Sequence, residues 1–154
     1  MKSKLIITLI ALISCLTARS QPTPQPPDYL LAATISVLIT KIGLPVDSAG
    51  SYLTALGQYR QTQETAAEIF YESTDNKVVF DMKKNPSGQI QLIICDMPDT
   101  MFSTAQKAIS MMGMVATGTA APPGFTAYAT TKYAAFLNPE QRQGFLGLVL
   151  VPGQ

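Results

Sequence analysis

Residues 77–95 alternate twice about a turn, and this pattern constrains the fold more than any other stretch. Val78, Phe80 and Met82 recur at every second position. Asn85-Pro86-Ser87-Gly88 then supplies turn chemistry, and Ile90, Leu92 and Ile94 resume the alternation. A period of two puts each set on one face of a strand, so the segment predicts a β-hairpin. A lone hairpin is marginal in water and needs further strands to bury its apolar face. Residues 125–136, rich in Thr, Tyr and Phe, and Leu148-Val149-Leu150-Val151 predict those strands. Asn138-Pro139-Glu140-Gln141 reads as the turn between them. It also suits a helix start, with Asn138 as cap and Pro139 first. Against a long helix there, Gly144 and Gly147 would each cost about 1 kcal/mol.

Helical spacing governs the rest. Leu31, Ile35, Leu38, Ile39 and Ile42 predict a first helix starting near Asp28 and ended by Gly43 and Pro45. A second helix is expected over 48–71, its latter half rich in Ala and Glu, with Tyr52, Leu56, Tyr59, Ala66 and Phe70 on one face. A third follows Pro98, capped by Asp99 or Thr100, with Phe102, Ala105, Ile109 and Met112 on its apolar side; it fades from Gly113. The resulting class is α+β: a helical N-terminal part, then an antiparallel sheet built from two hairpins with a helix between them, in the order αα-ββ-α-ββ. The order helix, strand, Asn-Pro turn, strand occurs twice, over 50–95 and 100–151. The alternative is a mainly helical chain with a single hairpin at 77–95.

Ahead of this domain, residues 1–20 have the three-part pattern of a secretory signal. Lys2 and Lys4 precede the apolar stretch 5–14, and Ala18 and Ser20 sit before Gln21. The apolar run is shorter than the ~20 residues that span a bilayer. Cleavage after Ser20 would release a secreted or periplasmic protein. Leu12-Ile13-Ser14-Cys15 resembles a bacterial lipobox, which makes Cys15 a candidate lipidation site and a membrane-anchored lipoprotein the alternative. Residues 21–28 hold four prolines and read as an extended tether. A single globular domain is expected over 29–154.

Loss of residues 1–20 leaves eight of the eleven basic residues against all ten acidic ones, so net charge moves from +1 to −2. With no basic stripe, nucleic-acid binding has no electrostatic footing. Cys95 then stands alone beside Leu92, Ile93 and Ile94, so no intramolecular disulfide can form and the thiol reads as a core filler.

The chain has no histidine and no tryptophan. Ser-His-Asp and Cys-His catalysis and histidine metal sites are thereby excluded. No Gly-rich phosphate loop or Cys pair at metal-ligand spacing occurs. Four features remain. Glu64, Glu68 and Glu72 would share one helix face, which is ordinarily a solvated face. Asp96 and Asp99 flank the turn before the third helix, where carboxylates ordinarily cap. Met97, Met101, Met111, Met112 and Met114 offer soft sulfur, more usually core filling than copper(I) ligation. The uncharged stretch 111–123 makes Met111, Met112 and Met114 a candidate contact patch.

These features predict an exported, non-enzymatic domain with no catalytic, cofactor or metal residues, which binds a protein partner or itself. Nucleic acid is not a partner, and a membrane is one only through Cys15. A carrier of a small apolar ligand between helices and sheet is the alternative, followed by a carboxylate-based hydrolase using Asp96 and Asp99 or the glutamates.

Overall fold

The computed structural model describes residues 27–75, 77–117, 121–138 and 145–153. The expected signal, Cys15, most of the expected tether and most of the turn expected at 138–141 lie outside the described residues. Pro27 and Asp28, assigned to the tether, belong instead to the first helix, α1 (Pro27–Leu38), which a short 3-10 turn, Ile39–Lys41, extends. Helix α2 spans Val46–Ala55 and α3 spans Phe102–Met111.

The strands are β1 (Tyr59–Glu64), β2 (Glu68–Ser73), β3 (Val79–Lys84), β4 (Ile90–Pro98), β5 (Val115–Ala116), β6 (Thr126–Ala129), β7 (Tyr133–Asn138) and β8 (Phe145–Pro152). They form one eight-stranded sheet in the order β1-β2-β3-β4-β8-β7-β6-β5, with every neighbouring pair antiparallel. The class is α+β, with two helices first and the third between β4 and β5.

The predicted hairpin is β3–β4. Its turn is built as its residues require: the Asn85 side-chain oxygen accepts from the Ser87 and Gln89 amides, each at 2.9 Å. Gly88 takes φ +75°, a conformation that L side chains rarely adopt. The strands expected at the C-terminus are also present, but 125–136 is not one strand. It breaks at Thr131 and Lys132 into β6 and β7, where the Thr130 hydroxyl accepts from the Lys132 and Tyr133 amides.

The second helix is shorter than expected. It ends at Ala55, and residues 59–73, predicted as its continuation, form the hairpin β1–β2. The Ala and Glu content there favours helix, but it is overridden. Ile69 and Tyr71 are buried and Phe70 and Glu72 are half-exposed, the period of a strand. The Thr65 hydroxyl closes the turn by accepting from the Ala67 and Glu68 amides. Caps differ too. Pro98 precedes a 3-10 turn, Asp99–Met101, and neither that turn nor α3 has a side-chain capping bond, so Asp99 and Thr100 do not cap as expected.

The doubled pattern seen in the sequence is larger in the fold. Each half is a helix followed by four strands: α2 with β1 to β4, and α3 with β5 to β8. The halves meet where β4 pairs with β8, from Ile93↔Leu150 to Pro98↔Phe145. All three helices join one sheet face in a single buried cluster that includes Leu31, Ile35, Leu53, Ala105, Ile109, Phe80, Ile93 and Leu148. Helix α1 packs along α3, and the small side chains Ala32, Ala105 and Ala108 are fully buried.

Candidate functional site

Strand register sorts the side chains onto two faces. Toward the helices run Tyr71, Phe80, Cys95, Leu148 and Leu137, opposite one another across β2, β3, β4, β8 and β7. On the other face the corresponding row is Phe70, Asp81, Ile94, Val149, Phe136 and Ala127. A sheet covered on one side ordinarily shows polar residues on the other. Here Phe70, Ile94, Val149 and Phe136 are half-buried and belong to no part of the helix-covered cluster. Ile94, Val149 and Phe136 are contiguous across β4, β8 and β7, with Asp81 standing between them and Phe70.

Charge on this open face is segregated. In the half made of β1 to β4, Arg60 pairs with Glu72 at 3.6 Å, and Lys83 bridges Glu68 and Asp81, the latter at 2.8 Å. The described strands β5 to β8 contain no charged residue. A pocket of about 290 Å³ opens in this uncharged half, lined by Ala127, Ala129, Ala134, Phe136, Val151 and Pro152 among others. It lies on the open face and not between sheet and helices, where a ligand cavity was expected.

Two carboxylates sit at the centre. Asp96 lies between Val79 on β3 and Gly147 on β8, and Asp81 is one diagonal step away beside Ile94. Burial, and then the charge of Asp81, raise the Asp96 carboxyl above its ordinary range. The protonated form is therefore favoured by folding. The stability linked to Asp96 is fully present below the ordinary carboxylate pKa and is lost as pH rises through its raised value. Asp96→Asn is expected to be more stable than the parent at pH ~7 and to lose that advantage below pH ~4. Urea midpoints at the two pH values check this; an unchanged difference would contradict it.

The other expected site residues are dispersed. Glu64, Glu68 and Glu72 do not share a helix face, because they lie on β1 and β2; their partners are Lys84, Lys83 and Arg60 respectively. Asp99 is exposed in the 3-10 turn, while Asp96 lies in β4. Of the methionines, Met97 and Met114 are buried, Met101 and Met112 pack against the core, and Met111 is exposed at the end of α3. Met111 is 43% and Val115 68% accessible, so of the predicted patch Met111 is exposed while Met114 is buried. Cys95 is fully buried, and burial pushes its thiol well above the ordinary value, followed by the charge of Asp96. Burial likewise pushes the Tyr59 phenol up to about 12. Both groups stay protonated at neutral pH, so neither is an activated nucleophile. No group of three or more acidic or cysteine side chains among the described residues is placed to hold a metal.

Sequence reasoning missed the open face. The alternation groups Ile94 with Ile90 and Leu92, helix propensity puts Phe70 in a helix, and the sequence assigns no side to Phe136 or Val149. Alternation shows which residues share a side, but not which side the helices will cover.

Fold and site together define a two-layer α+β domain with one sheet face covered by helices and the other uncovered among the described residues. Comparison with protein-family models, with curated proteins and with solved structures found no match. No helix among the described residues is long and apolar enough to cross a membrane.

Proposed function

We propose that this protein is an exported, non-enzymatic domain that docks a protein partner, outside the cytoplasm, through the open face of its sheet. One observation carries the reading: Ile94, Val149 and Phe136, with Phe70 beyond Asp81, are half-buried on a face that no described helix covers. Export rests on the signal pattern of residues 1–20, with lipidation at Cys15 as the anchored variant. A binding role without catalysis fits a chain without histidine, whose buried thiol and phenol are held protonated.

Capture from the secreted and envelope fractions tests this, with three baits compared. The parent chain and Gln106→Asp, altered on exposed α3 surface, should recover the same partner. Ile94→Asp should lose it by about tenfold or more, since a charge placed in an apolar contact is left unpaired. Equal recovery by all three baits would refute docking on this face.

The second reading, a carrier of a small apolar ligand, is favoured by the pocket of about 290 Å³ at Ala127, Ala134 and Phe136, which is close to the lower end of ligand-site volumes, about 300 Å³. Native mass spectrometry of the purified chain separates the two: a retained small molecule supports the carrier.

A further inference from the structure

The open face is apolar over β6 to β8 and around Ile94, and beside this area lies an acidic pair short of partners. Arg60 is paired with Glu72, and Lys83 is shared between Glu68 and Asp81. Asp96 has neither a hydrogen bond nor an ion pair among the described residues. Asp81 is 8% accessible, and its second carboxylate oxygen, Oδ1, is buried without a partner. Directly across β8 from Asp96 stands Gly147, followed by Asn138 on β7. Glycine puts no side chain beside the carboxylate, and a glycine inside a strand often marks close approach by another group.

A partner laid over this face would strip water from Asp96. An unpaired carboxylate taken out of water is costly, and the cost falls when a cation with hydrogen-bond donors is set against it. The surrounding face is aliphatic and aromatic: Val79, Ile94, Val149 and Phe136. The complement is therefore neither a purely apolar surface nor a polybasic one.

We propose that the open face receives a segment of a partner protein in which a lysine or arginine stands within an apolar stripe, the cation seated against Asp96 and Asp81 and the stripe laid over Ile94, Val149 and Phe136. This rests on the open face being the docking surface. The cation supplies donors to both carboxylates, and the stripe removes the apolar row from water. An anionic surface is repelled by the same two carboxylates, so the specificity lies in charge sign as well as in shape.

The test uses the isotopically labelled full chain and two synthetic amphipathic helical peptides. They are identical except for lysine or norleucine at the centre of the apolar stripe. Methyl shifts of Ile94 and Val149 report docking, and the Asp96 carboxyl carbon reports the cation. The lysine peptide should bind about tenfold tighter or more, lower the Asp96 titration midpoint, and lose its advantage with Asp96→Asn. Equal binding of both peptides at these methyls would overturn the cation seat and leave face docking standing. Shifts from neither peptide would overturn both. A free chain already dimeric through this face, seen as a dimer that Ile94→Asp dissociates, would also overturn the proposal. The peptide comparison requires no variant to fold.

Discussion

Phe80→Ala is expected to destabilise the protein by about 3–5 kcal/mol, the usual range for truncating a buried phenylalanine, whereas Phe70→Ala should cost only about 1 kcal/mol. The two residues sit on adjacent paired strands and differ in the face they occupy. Phe80 is fully buried toward the helices, with its ring centroid 5.3 Å from that of Tyr59. Its loss leaves a cavity in a cluster that includes Met82, Ile93, Cys95 and Leu148, and close-packed neighbours refill such a cavity only in part. Phe70 is half-exposed beside Asp81 on the open face and leaves its space to water. Domains of this size have about 5–15 kcal/mol in hand, so the first change takes a large share of it. Urea unfolding of both variants measures the contrast. Equal losses would mean that the face of residue 70 is covered, and with it the proposed docking surface would fall.

Gly50→Ala should also destabilise, by about 1–2 kcal/mol, although alanine is the better helix former by about 1 kcal/mol. A methyl group on Gly50 would collide with the Tyr71 hydroxyl and stand 3.2 Å from its ring carbon Cζ. Gly50 is buried in α2, and the Tyr71 side chain reaches it from β2. Overpacking at such a contact costs about 1–3 kcal/mol. Removing only the hydroxyl, with Tyr71→Phe, should relieve most of it. The hydroxyl's one described hydrogen bond, to Gln61 Oε1, is long at 3.5 Å and contributes little. A double-mutant cycle on the two positions should thus show a favourable coupling of about 1 kcal/mol or more. Additive effects would place α2 elsewhere than over β2.

Helix propensity makes the second helix look too long in the sequence. Residues 59–73 contain strong helix formers, Ala66, Ala67, Glu64 and Glu68, and their summed propensity points to helix. The competing signal is brief: Ile69 and Tyr71 inward, Phe70 and Glu72 outward. Propensities amount to a few tenths of a kcal/mol per residue, whereas burying Ile69 and Tyr71 against the helices is worth roughly 1.5–3 kcal/mol each. Tertiary burial decided the matter. The three glutamates consequently face three different basic residues across the sheet and do not gather on one helix.

Asp96 had been singled out from the sequence, but paired with Asp99 because the two are near in the chain. Its partner at the site is Asp81, on the neighbouring strand. Separation along the chain does not predict diagonal neighbours across a ladder, since these depend on register.

The alternation over 77–95 by itself determined a hairpin, its turn residues and the sides of its first strand, because a period of two and an Asn-Pro-Ser-Gly turn are local physics. A register shift at Lys83 and Lys84 puts Ile90 in the core, apart from Leu92 and Ile94, with which the sequence groups it. The alternation also implied that more strands must follow, and the strand-forming residues after Phe125 supplied them. Tertiary structure alone decided that eight strands form one sheet, that β8 inserts beside β4, and that the helices cover the face carrying Phe80 while leaving Phe70, Ile94 and Phe136 uncovered. Asp81 and Lys83 mark the open side of β3, but in β4 Ile93 and Cys95 on one side and Leu92 and Ile94 on the other are similarly apolar. Which one is chosen depends on where α1, α2 and α3 come to rest, and that is fixed by long-range packing that no window of the sequence contains.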